Sequence, residues 1–190
     1  MIECFRIDSF PAKLAVEMQP LFDLLGRFPH SLLVIGGHAL AVHGVARQTV
    51  DVDCLIAAEN RQALDAHLRG GGFKRLAETD NFARYNHPSE LVPDIDVLFV
   101  DAATFEKLHV RGVPLQRGQT TLEVPALAHL IALKLHAIRN NPTREAGDLG
   151  DITKLLRANP GAISASELDA LCARFGPPGT APKLQALLAP

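Results

Sequence analysis

Apolar residues form short runs between polar turns through the first two thirds of the chain, then helical stripes through the last third. Over residues 11–28, Leu14, Met18, Leu21, Leu25 and Phe28 recur at helical spacing, with Pro20 a kink or a break, and Gly26 to Pro29 close the segment. Residues 31–35 (SLLVI) read as a short buried strand, closed by Gly36-Gly37 and followed by a brief helix over 38–43 that stops at Gly44. Residues 50–56 (VDVDCLI) alternate, with Asp51, Asp53 and Leu55 on one face and Val52, Cys54 and Ile56 on the other, which is the period of a strand. Asn60 is placed to cap a helix to about residue 68, ended by Gly70-Gly71-Gly72. Strands follow over 73–77 and 82–86, and residues 94–100 (DIDVLFV) give the clearest strand of all.

Beyond residue 102 the pattern predicts a short helix to 109, a strand over 113–116, and an extended stretch over 121–124. Pro125 suits the first position of a helix through 139. A helix over 147–157 comes next, then one capped by Ser166 through 174, and a short one over 183–188. Strands dominate 31–117 and helices the rest, so the expected class is α+β, a mixed sheet flanked by helices with a helical carboxy-terminal part. The expected division is 1–120 and 121–190.

Composition narrows the function. With 190 residues and 47% apolar content the chain can bury a substantial core. No apolar run approaches the roughly 20 residues of a membrane span, and Glu3 and Asp8 stand where a secretory signal would be basic and then apolar, so no membrane partner and a cytoplasmic location are expected. Cys4, Cys54 and Cys172 are odd in number and widely spaced, which reads as free thiols. A net charge of −2 gives no global attraction for nucleic acid, and Arg69, Lys74, Arg75, Arg84, Lys107, Arg111 and Arg117 read as solvated charges or a local basic surface.

The acids carry the chemistry. Asp51 and Asp53, two apart on a strand, project to one face and can share divalent cations. Asp96, between Ile95 and Val97, sits where a carboxylate is costly to bury unless paired or metal-bound. Three such carboxylates offer the oxygen ligands that Mg²⁺ (or Mn²⁺) accepts. Asp94 shares that face and competes for third place, although Pro93 sets it nearer the strand mouth. Gly36-Gly37, between strand and helix, lets backbone N–H groups approach an anion such as phosphate.

On the helix over 125–139, Leu127, Leu130, Ile131, Leu135 and Ile138 define an apolar arc, and Lys134 falls inside it. On 147–157 the arc is Leu149, Ile152, Leu155 and Leu156, with Asp148 inside it and Asp151 at its margin. A Lys134–Asp148 salt bridge between packed helices and a shared role at a nucleotide are both compatible with this placement. His38 and His43 flank the glycine pair and can reach a ligand, as, more weakly, can His87 with Arg84 and Tyr85. His129 and His136 lie opposite the arc and read as solvated.

Gly36-Gly37, thirteen residues, Asp51-Val52-Asp53 and a later apolar strand with Asp96 together resemble the nucleotidyltransferase superfamily of the DNA polymerase β type. The string GGHALAVHGVARQTVDVDCLI, with Arg47 and Thr49 ahead of the acids, and LAHLIALKLHAIRNNPTREAGDLGDITKLL look more particularly like AbiEii-type toxin nucleotidyltransferases and their small relatives. The resemblance covers about residues 31–157. It implies a catalytic domain over 1–120 and a helical region over 121–190 completing the nucleotide cleft. It implies that Asp51 and Asp53 bind metal, Asp96 activates an acceptor hydroxyl, and Gly36, Gly37, Arg47, Thr49, Lys134 and Asp148 serve the nucleotide. The activity so implied moves a nucleoside monophosphate from a nucleoside triphosphate to an acceptor such as a tRNA, a protein or an antibiotic, with a cognate antitoxin as a partner in the toxin case. An inactive nucleotide-binding or partner-binding module is the alternative. Two positions depart from the pattern: Gly37 where many relatives have serine, and Gly147 before Asp148, a place that is often basic.

Overall fold

The computed structural model describes residues 12–189, so Cys4 and Pro11 lie outside the described residues. The described residues fall into two compact units, one of residues 12–42 and 46–125, the other of 43–45 and 126–189.

The first unit is built on a mixed seven-stranded sheet, as the alternation of apolar runs predicts. Its elements are α1 (Ala12–Gly26), β1 (Leu33–Val34), α2 (Gly36–Val42), β2 (Val52–Ala57), α3 (Arg61–Gly70), β3 (Lys74–Glu78), β4 (Phe82–Asn86), β5 (Ile95–Val100), α4 (Ala102–His109), β6 (Val113–Arg117) and β7 (Thr120–Val124). Strand order is β3-β4-β5-β2-β1-β7-β6. β2 runs parallel to β5, β1 parallel to β7, and the remaining pairs are antiparallel.

Local chemistry explains where the elements differ from their sequence pattern. β1 is shorter than the apolar run because Gly36, at φ 62°, turns the chain out of the sheet just after the Ile35 N–H donates to the Asp53 carbonyl at 2.8 Å. The glycine pair is thus the first turn of α2 rather than a loop ahead of it. Pro20 lies inside a continuous α1. β3, exposed along its whole length, forms a sheet edge carrying Lys74, Arg75 and Glu78, charges that discourage pairing with another chain.

The core takes Leu21, Phe22 and Leu25 from α1, Leu40 from α2, Leu64 and Leu68 from α3, and the apolar residues of the central strands. His38 is among them, only 2% exposed and edge-on to the Phe22 ring at 5.3 Å. It faces the core, not a ligand.

The second unit is helical: α5 (Leu127–Asn140), α6 (Glu145–Ala158), α7 (Ala165–Phe175) and α8 (Thr180–Leu188). α5 starts two residues after Pro125, with Ala126 at the cap. Ser164, not Ser166, caps α7, because Glu167 three residues on closes a reciprocal capping box with it. Among the described residues no helix is long and apolar enough to cross a membrane.

Burial of His38, reinforced by the Arg117 charge, lowers its pKa to about 4. Between that value and the ordinary 6.5 the unfolded chain takes up a proton that the folded chain refuses, so stability is complete above pH 6.5 and declines as the pH falls toward 4. The decline is expected to reach about 3 kcal/mol. Urea unfolding across that range checks it, with His38→Gln expected to lose this part of the slope.

Candidate active site

The parallel register of β2 and β5 sets Asp53 directly beside Asp96, and the antiparallel register of β4 and β5 sets Arg84 on the other side of Asp96. One row across three strands therefore reads Asp53, Asp96, Arg84. Asp51 and Asp94 stand one step earlier on the same face, just outside β2 and β5, where the Val52 N–H donates to the Asp94 carbonyl at 3.0 Å.

Arg84 grips Asp96 with both arms. Its Nε donates to Oδ1 at 2.7 Å and its Nη2 to Oδ2 at 2.6 Å, the bidentate geometry that makes arginine–carboxylate pairs strong. The guanidinium, 44% exposed, is held protonated by that contact, while the Asp96 side chain is 16% exposed. Partial burial pushes the Asp51 carboxyl upward from the ordinary range, and the negative charges of Asp96 and Asp94 push it the same way.

Gly36 admits this arrangement. A Cβ there would lie 1.9 Å from Oδ2 of Asp53, so only glycine lets the carboxylate and the start of α2 approach. Gly37 is constrained differently, because the Thr49 side chain fills its flank and a Cβ would come within 2.7 Å of Thr49 Cβ. That contact accounts for glycine at this position. Thr49 also donates its hydroxyl to the Asp51 carbonyl at 3.2 Å, tying the loop to the start of β2. Arg47 is exposed on the same loop.

The acids suit a hard divalent cation in chemistry, being oxygen donors on one face with mutual repulsion to relieve. Among the described residues, however, no group of three or more His, Cys, Asp or Glu side chains is gathered as around a metal ion, and Asp96 faces a guanidinium instead.

A cavity of about 500 Å³ opens beside Asp51 and Asp94. The loop from His87 to Pro93 walls it, with Glu90 contributing a third carboxylate, and Met18, Thr49 and Val50 line it as well. Among the described residues, no lysine or arginine lines it. His87 is fixed there by the Ser89 N–H, which donates to Nδ1 at 3.1 Å, and by edge contact with Phe73. Tyr85, in contrast, is buried on the opposite side of β4 and donates to Asp65 at 3.1 Å.

In the helical unit Lys134 meets two carboxylates. Its Nζ donates to Asp148 Oδ1 at 2.9 Å and to Asp151 Oδ2 at 2.7 Å, and all three residues are buried. Arg144 donates from Nε to the other oxygen of Asp148 at 2.8 Å. The expected Lys134–Asp148 bridge is present, and Asp151, marginal on the helical wheel, is an equal partner in it. His43 lies in this unit, its carbonyl accepting from Asn159 at 2.8 Å, and His136 is exposed beside Asn140.

Neither a family model nor a curated protein matches the sequence. Solved structures do match. The antibiotic-resistance factor ANT(2'')-Ia superposes with a TM-score of 0.65 at 13% identity, over 87% of this chain and 92% of that one. An antigenic nucleotidyltransferase-like protein from Paracoccidioides brasiliensis gives 0.56 at 15% identity, over 93% and 92%. The lincosamide antibiotic adenylyltransferase LnuA in its lincomycin-bound form gives 0.52 at 16% identity, over 72% and 94%. The fold is that of the nucleotidyltransferases.

Two substitutions probe this geometry. Gly36→Ala places a side chain at positive φ and against Asp53, and is expected to cost about 2 kcal/mol or more in urea unfolding. Lys134→Met removes the buried cation that Asp148 and Asp151 share, with an expected loss of about 3 kcal/mol, read as an earlier unfolding transition.

Proposed function

We propose that the chain is a metal-dependent nucleotidyltransferase that moves a nucleoside monophosphate from a nucleoside triphosphate to a hydroxyl of a small-molecule acceptor. The observation that carries the reading is the placement of Asp51, Asp53 and Asp96 on one face of adjacent parallel strands, beside a glycine turn that closes on Asp53.

Asp51 and Asp53 hold the cation, with Asp96 as the third carboxylate. A bound Mg²⁺ or Mn²⁺ supplies charge neutralisation at the reacting phosphate. Gly36 and Gly37 receive phosphate oxygens on backbone N–H groups, with Arg47 and Thr49 on the loop beside them. The acceptor oxygen bonds to the α-phosphorus, the bond to pyrophosphate breaks, and Asp96 receives the hydroxyl proton. Lys134 and Asp148 remain proposed nucleotide contacts, with the Lys134 charge already shared between two carboxylates and Arg144 the more exposed cation of their cluster.

The cavity favours a small acceptor over an RNA end. Its volume falls in the range of small-molecule sites, and its lining of Asp51, Glu90 and Asp94 repels a phosphate backbone. ANT(2'')-Ia and LnuA, which share the fold, are an antibiotic-resistance factor and an antibiotic adenylyltransferase.

Incubation with each α-labelled nucleoside triphosphate, Mg²⁺ and either aminoglycosides, lincosamides or total RNA tests the proposal. Label is expected on a small molecule, and Asp51→Asn or Asp53→Asn should lower kcat on the order of 1000-fold without altering the circular dichroism spectrum. A fully active double variant overturns the activity, and label on RNA alone overturns the acceptor.

A further inference from the structure

Acids across the chain are answered by neighbours: Asp96 has Arg84, Asp65 has Arg69 and Arg75, and Asp148 and Asp151 share Lys134. Glu90 and Asp94 are not. Both line the cavity beside Asp51, and among the described residues neither carboxylate makes a hydrogen bond or a salt bridge. Asp94 feels the Arg84 charge only from a distance. The same cavity gathers apolar side chains that a core would have covered. Val50 is 65% exposed and Leu91 66%, with buried Met18 beside them in the lining. Val50 leads into β2 and Leu91 belongs to the loop before β5, so their meeting at one concavity is a product of the fold.

We propose that the cavity takes an organic ammonium compound with an apolar face, its cationic nitrogen met by the carboxylates of Glu90 and Asp94 and its carbon skeleton by Val50 and Leu91, and that this compound is the hydroxyl acceptor. The acceptor role rests on the transfer reading given above, whereas the ligand class rests on the cavity alone.

Each half of the lining excludes a class of ligand. Carboxylates in a concave wall focus a negative potential, which concentrates cations and turns away phosphates and carboxylic acids. A neutral sugar leaves both carboxylates without a counter-charge and the apolar side chains uncovered. A hydrated metal ion fails on the second count, and among the described residues no three His, Cys, Asp or Glu side chains are gathered as around one. An ammonium on an apolar frame satisfies both halves: its N–H groups donate to the carboxylates in charge-assisted bonds, and its carbon face displaces water from Val50 and Leu91. The volume of about 500 Å³ is that of a small-molecule site. Asp51 belongs both to this lining and to the acids of the proposed reaction, so a compound seated here borders the reacting centre.

Ligand-observed NMR on the purified chain with three probes reads the ligand class. Phenylalaninol joins an ammonium and a hydroxyl to an apolar ring, N-acetylphenylalaninol lacks the charge, and ethanolamine lacks the apolar face. Phenylalaninol is expected to bind about tenfold more tightly than either of the others. Glu90→Gln combined with Asp94→Asn should erase its advantage over the acetylated probe while leaving that probe's own binding unchanged, and Leu91→Ser should erase its advantage over ethanolamine. Glu90→Gln alone, at an exposed loop position, serves if the double variant folds poorly. Equal binding of the charged and acetylated probes, or binding of neither, overturns the inference and leaves the transfer activity to its own labelling experiment. Label carried to a neutral or anionic acceptor overturns the acceptor role while the transfer stands. Phenylalaninol binding that requires Glu90, in a chain that moves no label from any nucleoside triphosphate, upholds the ligand class and overturns the transfer.

Discussion

The register between β2 and β5 is the constraint on which the acidic face depends. Parallel pairing sets Val52 against Ile95, Asp53 against Asp96 and Cys54 against Val97, so one set of contacts positions both the core and the carboxylates. A slip of a single residue would send Asp96 into the apolar layer and bring Val97 to the polar face. Val52, Cys54, Ile95 and Val97 are all essentially inaccessible, and the cost of exposing them fixes the register firmly. The site thus takes its alignment from hydrophobic packing one residue away.

Both units meet the same electrostatic problem with the same device. In the sheet, Asp96 is answered by the two arms of Arg84; between α5 and α6, Asp148 and Asp151 are answered by Lys134, with Arg144 adding a second contact to Asp148. The difference is depth. Lys134 is 8% exposed and gives a closed cluster, whereas Arg84 is 44% exposed and meets its carboxylate at the edge of the solvent. A buried pair of that kind fixes two helices to each other, because separating them would leave bare charge in an apolar setting.

Much of this is legible in the sequence, for physical reasons that also mark where legibility ends. Alternation over a few residues reveals a strand and the side of it that Asp51 and Asp53 share, since the period is local. Register is not local: Arg84 reads from sequence as a solvated charge or, with His87, a weak ligand contact, and its partner Asp96 becomes visible once β4 and β5 are aligned. The helical wheel finds Lys134 and Asp148 but leaves Asp151 at the margin, because the wheel knows one helix at a time and Asp151 is buried by its lysine across the helix pair. The choice between Ser164 and Ser166 turned on which serine had a glutamate to reciprocate. The cavity beside Asp51 arises where the loop before Pro93 folds against the start of β2, and no pattern along the chain announces such a meeting.

Cys54 lies between Asp53 and Leu55, and the pleat turns its sulfur to the opposite side of the sheet. Burial and the adjacent Asp53 charge keep it firmly in the thiol form. Cys54 therefore contributes no sulfur to the acidic face. A thiol held in the core on the far side of the pleat is kept from oxidants and soft metals alike, so the strand that gathers the acids stores its sulfur where it takes part only in packing.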